Sequence, residues 1–147
     1  MTLSDEVVQN IDQAKRLILE TYQGLDPENY TKFYSKVWQA HANMEFVVVL
    51  LKLLNQLEET KEAKKWKQEF DDNLTRPRAA RKIKKSFEET LELFDQLEEI
   101  SDIKEFYKIC WMVKEKVTVH LDVVKPKFRK KKKAKATPNT NQSNTKN

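Results

Sequence analysis

A single glycine, Gly24, serves a chain of 147 residues, and only four prolines accompany it. Tight hairpins depend on residues that accept positive φ, and a chain with one glycine has few places to put them. Lysine, glutamate, leucine, glutamine and alanine, all helix formers, fill the text instead. The expectation is an all-α protein, an up-and-down bundle of four to five helices occupying residues 1–124, with a disordered Lys-rich tail over 125–147.

The helices can be read from apolar spacing and caps. Ser4 followed by Asp5 and Glu6 is an N-cap with acids in the first turn, and Val7, Val8, Ile11, Ala14, Ile18 and Tyr22 recur at helical steps. Gly24 then reads as a left-handed C-terminal residue. Asp26-Pro27 reads as the N-cap and first position of a second helix, striped by Tyr30, Phe33, Val37, Met44, Val47 or Val48, Leu51 and Leu54. Between Phe46 and Leu54 only Lys52 interrupts the apolar run, so the helix is apolar nearly all round there and is expected as the central element of the bundle.

Residues 60–73 keep a narrow stripe of Ala63, Trp66 and Phe70, continued by Leu74, either as a separate helix or as a continuation after a kink. Thr75-Arg76-Pro77 restarts the chain, with Ala80, Ile83, Phe87, Leu91, Phe94 and Leu97 following. Ser101-Asp102 caps a last helix faced by Ile103, Phe106, Ile109 or Cys110, Val113, Val117, Leu121 and Val124, and Lys125-Pro126 ends it.

Cys110 is the only cysteine, which excludes an internal disulfide and a thiolate metal cage, and suits a reducing compartment. No basic start with an apolar segment behind it marks a secretory leader, and the longest unbroken apolar run, 46–51, is far short of a membrane span. The Asn-x-Thr/Ser triplets at Asn29, Asn73 and Asn141 then read as chance matches. The chain is expected to be soluble and intracellular, cytoplasmic in a prokaryote and open to nuclear import in a eukaryote.

Catalysis has little to stand on. His41 and His120 lack partners at metal-ligand spacing, Cys110 falls on an apolar helix face, and the Glu-Glu pairs at 58–59, 88–89 and 98–99 lack the Glu-x-x-His partners of a di-metal bundle. One glycine cannot build a phosphate-cradling loop. No enzyme activity, metal or cofactor is expected. Trp38, Trp66 and Trp111 each lie on or beside an apolar stripe, where core packing is the default and base stacking the alternative.

Charge is the informative quantity. All 23 acidic residues lie at or before Asp122, whereas nine of the 28 basic ones follow it, so a body of net −4 carries a tail of net +9. Within the body, Arg76, Arg78, Arg81, Lys82, Lys84 and Lys85 run without an acid. Arg78, Arg81, Lys82 and Lys85 are spaced i, i+3, i+4, i+7, one face of a helix opening at Pro77. Cations at a helix N-terminus oppose the macrodipole, an arrangement that makes sense where phosphates are the partner. In the tail, Lys127, Arg129, Lys130, Lys131, Lys132 and Lys133 form a second cluster suited to salt-sensitive phosphate binding. The bland reading is that both clusters are solvated surface and a solubility or import signal.

The basic stretch Leu-x-Arg-Pro-Arg-Ala-Ala-Arg over residues 74–81, the apolar helix running to Leu97, and the Asp-x-x-x-Phe opening of the next helix at Asp102 and Phe106 resemble one family, the small helical subunit of type III, Csm-type, CRISPR RNA-guided effector complexes. The resemblance covers residues 74–122. It implies a repeated, non-catalytic subunit lining the path of guide and target RNA, with Arg76, Arg78 and Arg81 on the backbone. The chain carries Arg81-Lys82 where that pattern has a glycine, and it adds a basic, Asn-rich tail.

The sequence thus points to a non-catalytic RNA-binding accessory subunit of a nucleoprotein complex, with RNA (DNA as the alternative) and other protein subunits as partners, and neither membrane nor small-molecule substrate. A helical protein-interaction adaptor with a basic localisation tail, and a nucleic-acid-packaging protein, are the alternatives.

Overall fold

The computed structural model describes residues 1–126; the expected tail, including its cationic cluster from Lys127 to Lys133, lies outside the described residues. The helices are α1 (Asp5–Gln23), α2 (Tyr34–Leu54), α3 (Lys61–Asn73), α4 (Ala80–Leu97) and α5 (Ile103–Val124), and no strand occurs among the described residues. The protein is all-α, as its single glycine implied.

Three helix starts carry side-chain caps. Ser4 Oγ accepts from the Val7 N–H at 3.2 Å, Thr60 Oγ1 from Ala63 at 3.0 Å and an Asp102 carboxylate oxygen from Glu105 at 2.9 Å. The Thr60 cap decides that residues 61–73 form a separate helix and not a kinked extension of α2. Each such cap contributes about 1 kcal/mol by satisfying an otherwise orphaned donor.

Helices α1, α2, α5 and α4 form a closed ring of four, each packed on its two neighbours. Polar contacts fix the directions. Asn43 of α2 meets Asn10 and Gln13 of α1 while Lys36 meets Glu20, so these helices run antiparallel. Lys15 pairs with Asp95 and Tyr22 with Glu88, which makes α1/α4 antiparallel, and the short 98–102 link at one end with the Arg76–Asp122 contact at the other makes α4/α5 antiparallel as well. Helix α3 returns the chain along the outside of α5, Trp66 set edge-on to Tyr107 and Trp111, and Phe70 to Trp111. It contributes no fully buried residue. The core is filled by Val7, Ile18, Met44, Leu51, Phe87, Phe94, Val113 and Val117.

The structure corrects four details of the sequence reading. Gly24 is not left-handed: its φ is −106°. Its role is close approach, since a Cβ there would sit 2.8 Å from Phe33 Cζ. The left-handed C-terminal residue is Gln56, at φ 52°, where the Leu57 N–H reaches back to the Lys52 carbonyl (3.0 Å) to close α2. Asp26 caps a turn and not a helix, its carboxylate accepting from the Glu28 N–H (3.1 Å) and the Asn29 side chain (3.3 Å), and a short 3-10 turn, Tyr30–Phe33, intervenes before α2. Helix α4 opens at Ala80, three residues after Pro77. Arg76 is drawn onto Asp122 at the end of α5, and Ala79 is extended at ψ 142°.

The Gly24 contact makes a direct prediction. Gly24→Ala meets no backbone strain but forces the buried Phe33 ring aside, and overpacking of this kind costs about 1 kcal/mol or more. A urea melt at neutral pH measures it; an unchanged midpoint would mean that the ring yields freely.

The fourth correction concerns α2. It is central in that it packs on both α1 and α5, yet its outer side is bare, with Trp38, Phe46, Val49, Leu53 and Leu54 all exposed. Trp38 therefore departs from the core role read for the tryptophans, while Trp111 is buried and Trp66 half-buried. By length and composition the stretch Tyr30–Leu54 is apolar enough to cross a membrane. In the bundle its inner side, from Val37 through Met44 to Leu51, is core.

Candidate nucleic-acid interface

The extended segment before α4 and the first turns of that helix wall a cleft of about 640 Å³ lined by Thr75, Arg76, Pro77, Arg78, Ala79, Lys82, Lys85, Ser86 and Glu89. The local sequence explains it. Residues 75–79 do not join the helix, so the chain turns away from α4 and leaves a gap between the strap and the helix side. Ala79, the N-cap residue, has no side chain able to cap, and no acid occupies the first turn of α4. The free N–H groups there add partial positive charge to the cleft wall.

Arg76, Arg78, Lys82 and Lys85 are all exposed and converge on this cleft. Arg76 is tied at 3.1 Å to Asp122. Among the described residues, Arg78, Arg81, Lys82 and Lys85 have no carboxylate within 4.0 Å. Arg81, which the sequence grouped with them, does not line the cleft. The single helical face read from the spacing needed Arg78 inside the helix. With α4 beginning at Ala80, Lys82 and Lys85 line the cleft, and Lys84 lies over the Tyr22 ring of α1 (5.8 Å).

Lys116 of α5 went unremarked in the sequence. It is buried, and its ammonium donates to Ser86 Oγ (3.1 Å) and to Glu89 Oε1 (3.0 Å), both of which line the cleft. The acid in the wall is thus already neutralised from below, and the remaining charges presented to solvent are cationic. Nothing in the pattern announced Lys116; only its place beside Val113 and Val117 on the inward side of α5 hinted at burial.

The groups read as non-catalytic sit as follows. His120 is fully buried, stacked on Phe87 with ring centroids 3.9 Å apart, and its Nε2 lies 2.7 Å from Thr90 Oγ1. The Thr90 hydroxyl also donates to the Ser86 carbonyl, and Nδ1 has no hydrogen-bond partner among the described residues. Burial, with the Lys116 charge adding to it, lowers the imidazole pKa to about 3. Cys110 is buried and its thiol is pushed well above the usual range by desolvation. His41 faces Glu45 at 3.8 Å on α2.

Comparison with known protein families, with curated proteins and with solved structures finds no match to this chain. The functional reading rests on the cleft itself.

Proposed function

We propose that the protein is a non-catalytic nucleic-acid-binding subunit that grips the phosphate backbone of RNA in the cleft between the 75–79 strap and α4. The observation that carries this reading is the convergence of Arg76, Arg78, Lys82 and Lys85 on one cleft, three of them without ion-pair partners among the described residues, at an uncapped helix start. Cations gathered against the helix dipole are electrostatically costly unless an anion joins them. The Asp122–Arg76 contact places the end of α5 at the cleft edge, and the cationic run Lys127–Lys133 begins five residues further along the sequence. Backbone contacts of this kind position a nucleic acid without reading its sequence. The Csm-type small subunit is the more specific form of the proposal, and a protein adaptor with a basic tail is its main rival.

The test is binding of a fluorescent single-stranded RNA against salt, for the full chain and for a truncation ending at Lys125. Each neutralised phosphate adds roughly 0.7 to the log–log salt slope on a single strand. The truncated bundle is expected to retain salt-dependent binding with a shallower slope than the full chain. Loss of all binding on truncation would leave only a generic polycationic tail and turn the reading toward the adaptor.

A further inference from the structure

Going beyond the cleft, we propose that the bare outer face of α2 is a homodimer interface in which two copies pack their α2 helices antiparallel about a two-fold axis. Trp38, Phe46, Val49 and Leu53 are 50%, 44%, 56% and 69% exposed. With the half-covered Ala42, they fall at steps of four, four, three and four residues, one continuous seam along a helix otherwise held by α1 and α5. Together they expose apolar surface on the order of 400 Å², as large as the largest patch on an ordinary monomer. A standard interface buries roughly 800 Å² per partner, so this seam would form its apolar core and the polar flanks of α1 and α5 its rim.

The charges beside the seam select the occupant. In heptad terms Phe46 and Leu53 take the a positions and Ala42 and Val49 the d positions, which places both Glu45 and Lys52 at g on the same side. Antiparallel packing sets Phe46 against Val49 of the second copy and Ala42 against Leu53. In that register the g residues of the two helices face each other, so Glu45 of each copy meets Lys52 of the other, twice by symmetry. Both side chains are available: among the described residues Glu45 has only His41 as an ionic neighbour, at 3.8 Å, and Lys52 only Glu59, also at 3.8 Å. A parallel pair would bring Glu45 against Leu50 and Lys52 against Leu57, with no opposite charge for either. The face is therefore complementary to itself in one orientation. The antiparallel axis sends the two basic clefts to opposite ends of the dimer, because the cleft lies at the end of the bundle where α2 begins.

Sedimentation equilibrium of the full chain across the micromolar range is the test, with flotation against neutral-lipid vesicles run beside it. A concentration-dependent dimer is expected. Val49→Glu, at an exposed position, should abolish it without altering the circular-dichroism melt. Lys52→Glu should raise the dissociation constant about tenfold, and Glu45→Lys added to it should restore most of the affinity, since the swapped charges again pair across the axis. A wild-type chain that stays monomeric, including one that floats with the vesicles instead, overturns the proposal. So does a Val49→Glu dimer, or a double variant no tighter than the single one.

Discussion

Between pH 7 and pH 5 the fold should lose about 2 kcal/mol of stability through His120 alone, and a His120→Leu variant should not show that loss. The imidazole is neutral in the fold because burial, helped by Lys116, holds its pKa at about 3, against 6.5 for the free side chain. Its folded pKa is depressed, so unfolding takes up a proton once the pH drops below 6.5. The stabilisation is fully present above that value and drains away as pH falls toward 3, at about 1.4 kcal/mol per unit. Total loss on the acid limb approaches about 5 kcal/mol, comparable to the whole stability of a modest domain. Leucine keeps the packing volume against Phe87, and Thr90 keeps its donation to the Ser86 carbonyl. Urea melts of both proteins at the two pH values separate the terms, because carboxylate titration is common to both; equal acid limbs would mean that His120 reaches solvent or another partner.

Most of the fold was legible because helix formation here is driven by local signals. The stripes through Ile18, Met44, Phe87 and Val113 mark core that the structure buries, and the Ser4 and Asp102 caps sit where their sequence context put them. Errors arose where a tertiary contact outweighed a local preference. Proline at the first helical position is a sound rule, yet Pro77 stays outside α4, which opens only at Ala80, with Arg76 beside it paired to Asp122 of α5. Glycine at a helix end usually signals a left-handed residue, yet Gly24 is needed for the Phe33 ring, and Gln56 adopts that conformation instead. Periodicity could not tell which side of α2 would stay bare, because apolar residues surround it and only the placement of α1 and α5 decides. The basic run was visible in the sequence, but its division into a cleft-facing set and an outward set depends on the helix start, and the buried Lys116 beneath it depends on the α4–α5 packing.

That division makes the sharpest test of the cleft. Arg78→Glu combined with Lys82→Glu should weaken RNA binding by the truncated bundle on the order of a hundredfold at moderate salt and flatten its salt slope, whereas Arg81→Glu should cost only a few fold. All three residues are exposed and free of ion-pair partners among the described residues, so none of the changes removes a structural contact. The substitutions also separate binding from folding by sign. Placing an acid at Lys82, in the first turn of α4, favours the helix dipole and should leave thermal stability equal or slightly raised. Binding and stability then move in opposite directions, which a general disruption of the bundle cannot produce. Anisotropy titrations paired with thermal melts read both quantities from the same samples. Equal losses for Arg81→Glu and for the cleft pair would show that the protein presents only diffuse positive charge, and the cleft would lose its claim to the phosphate.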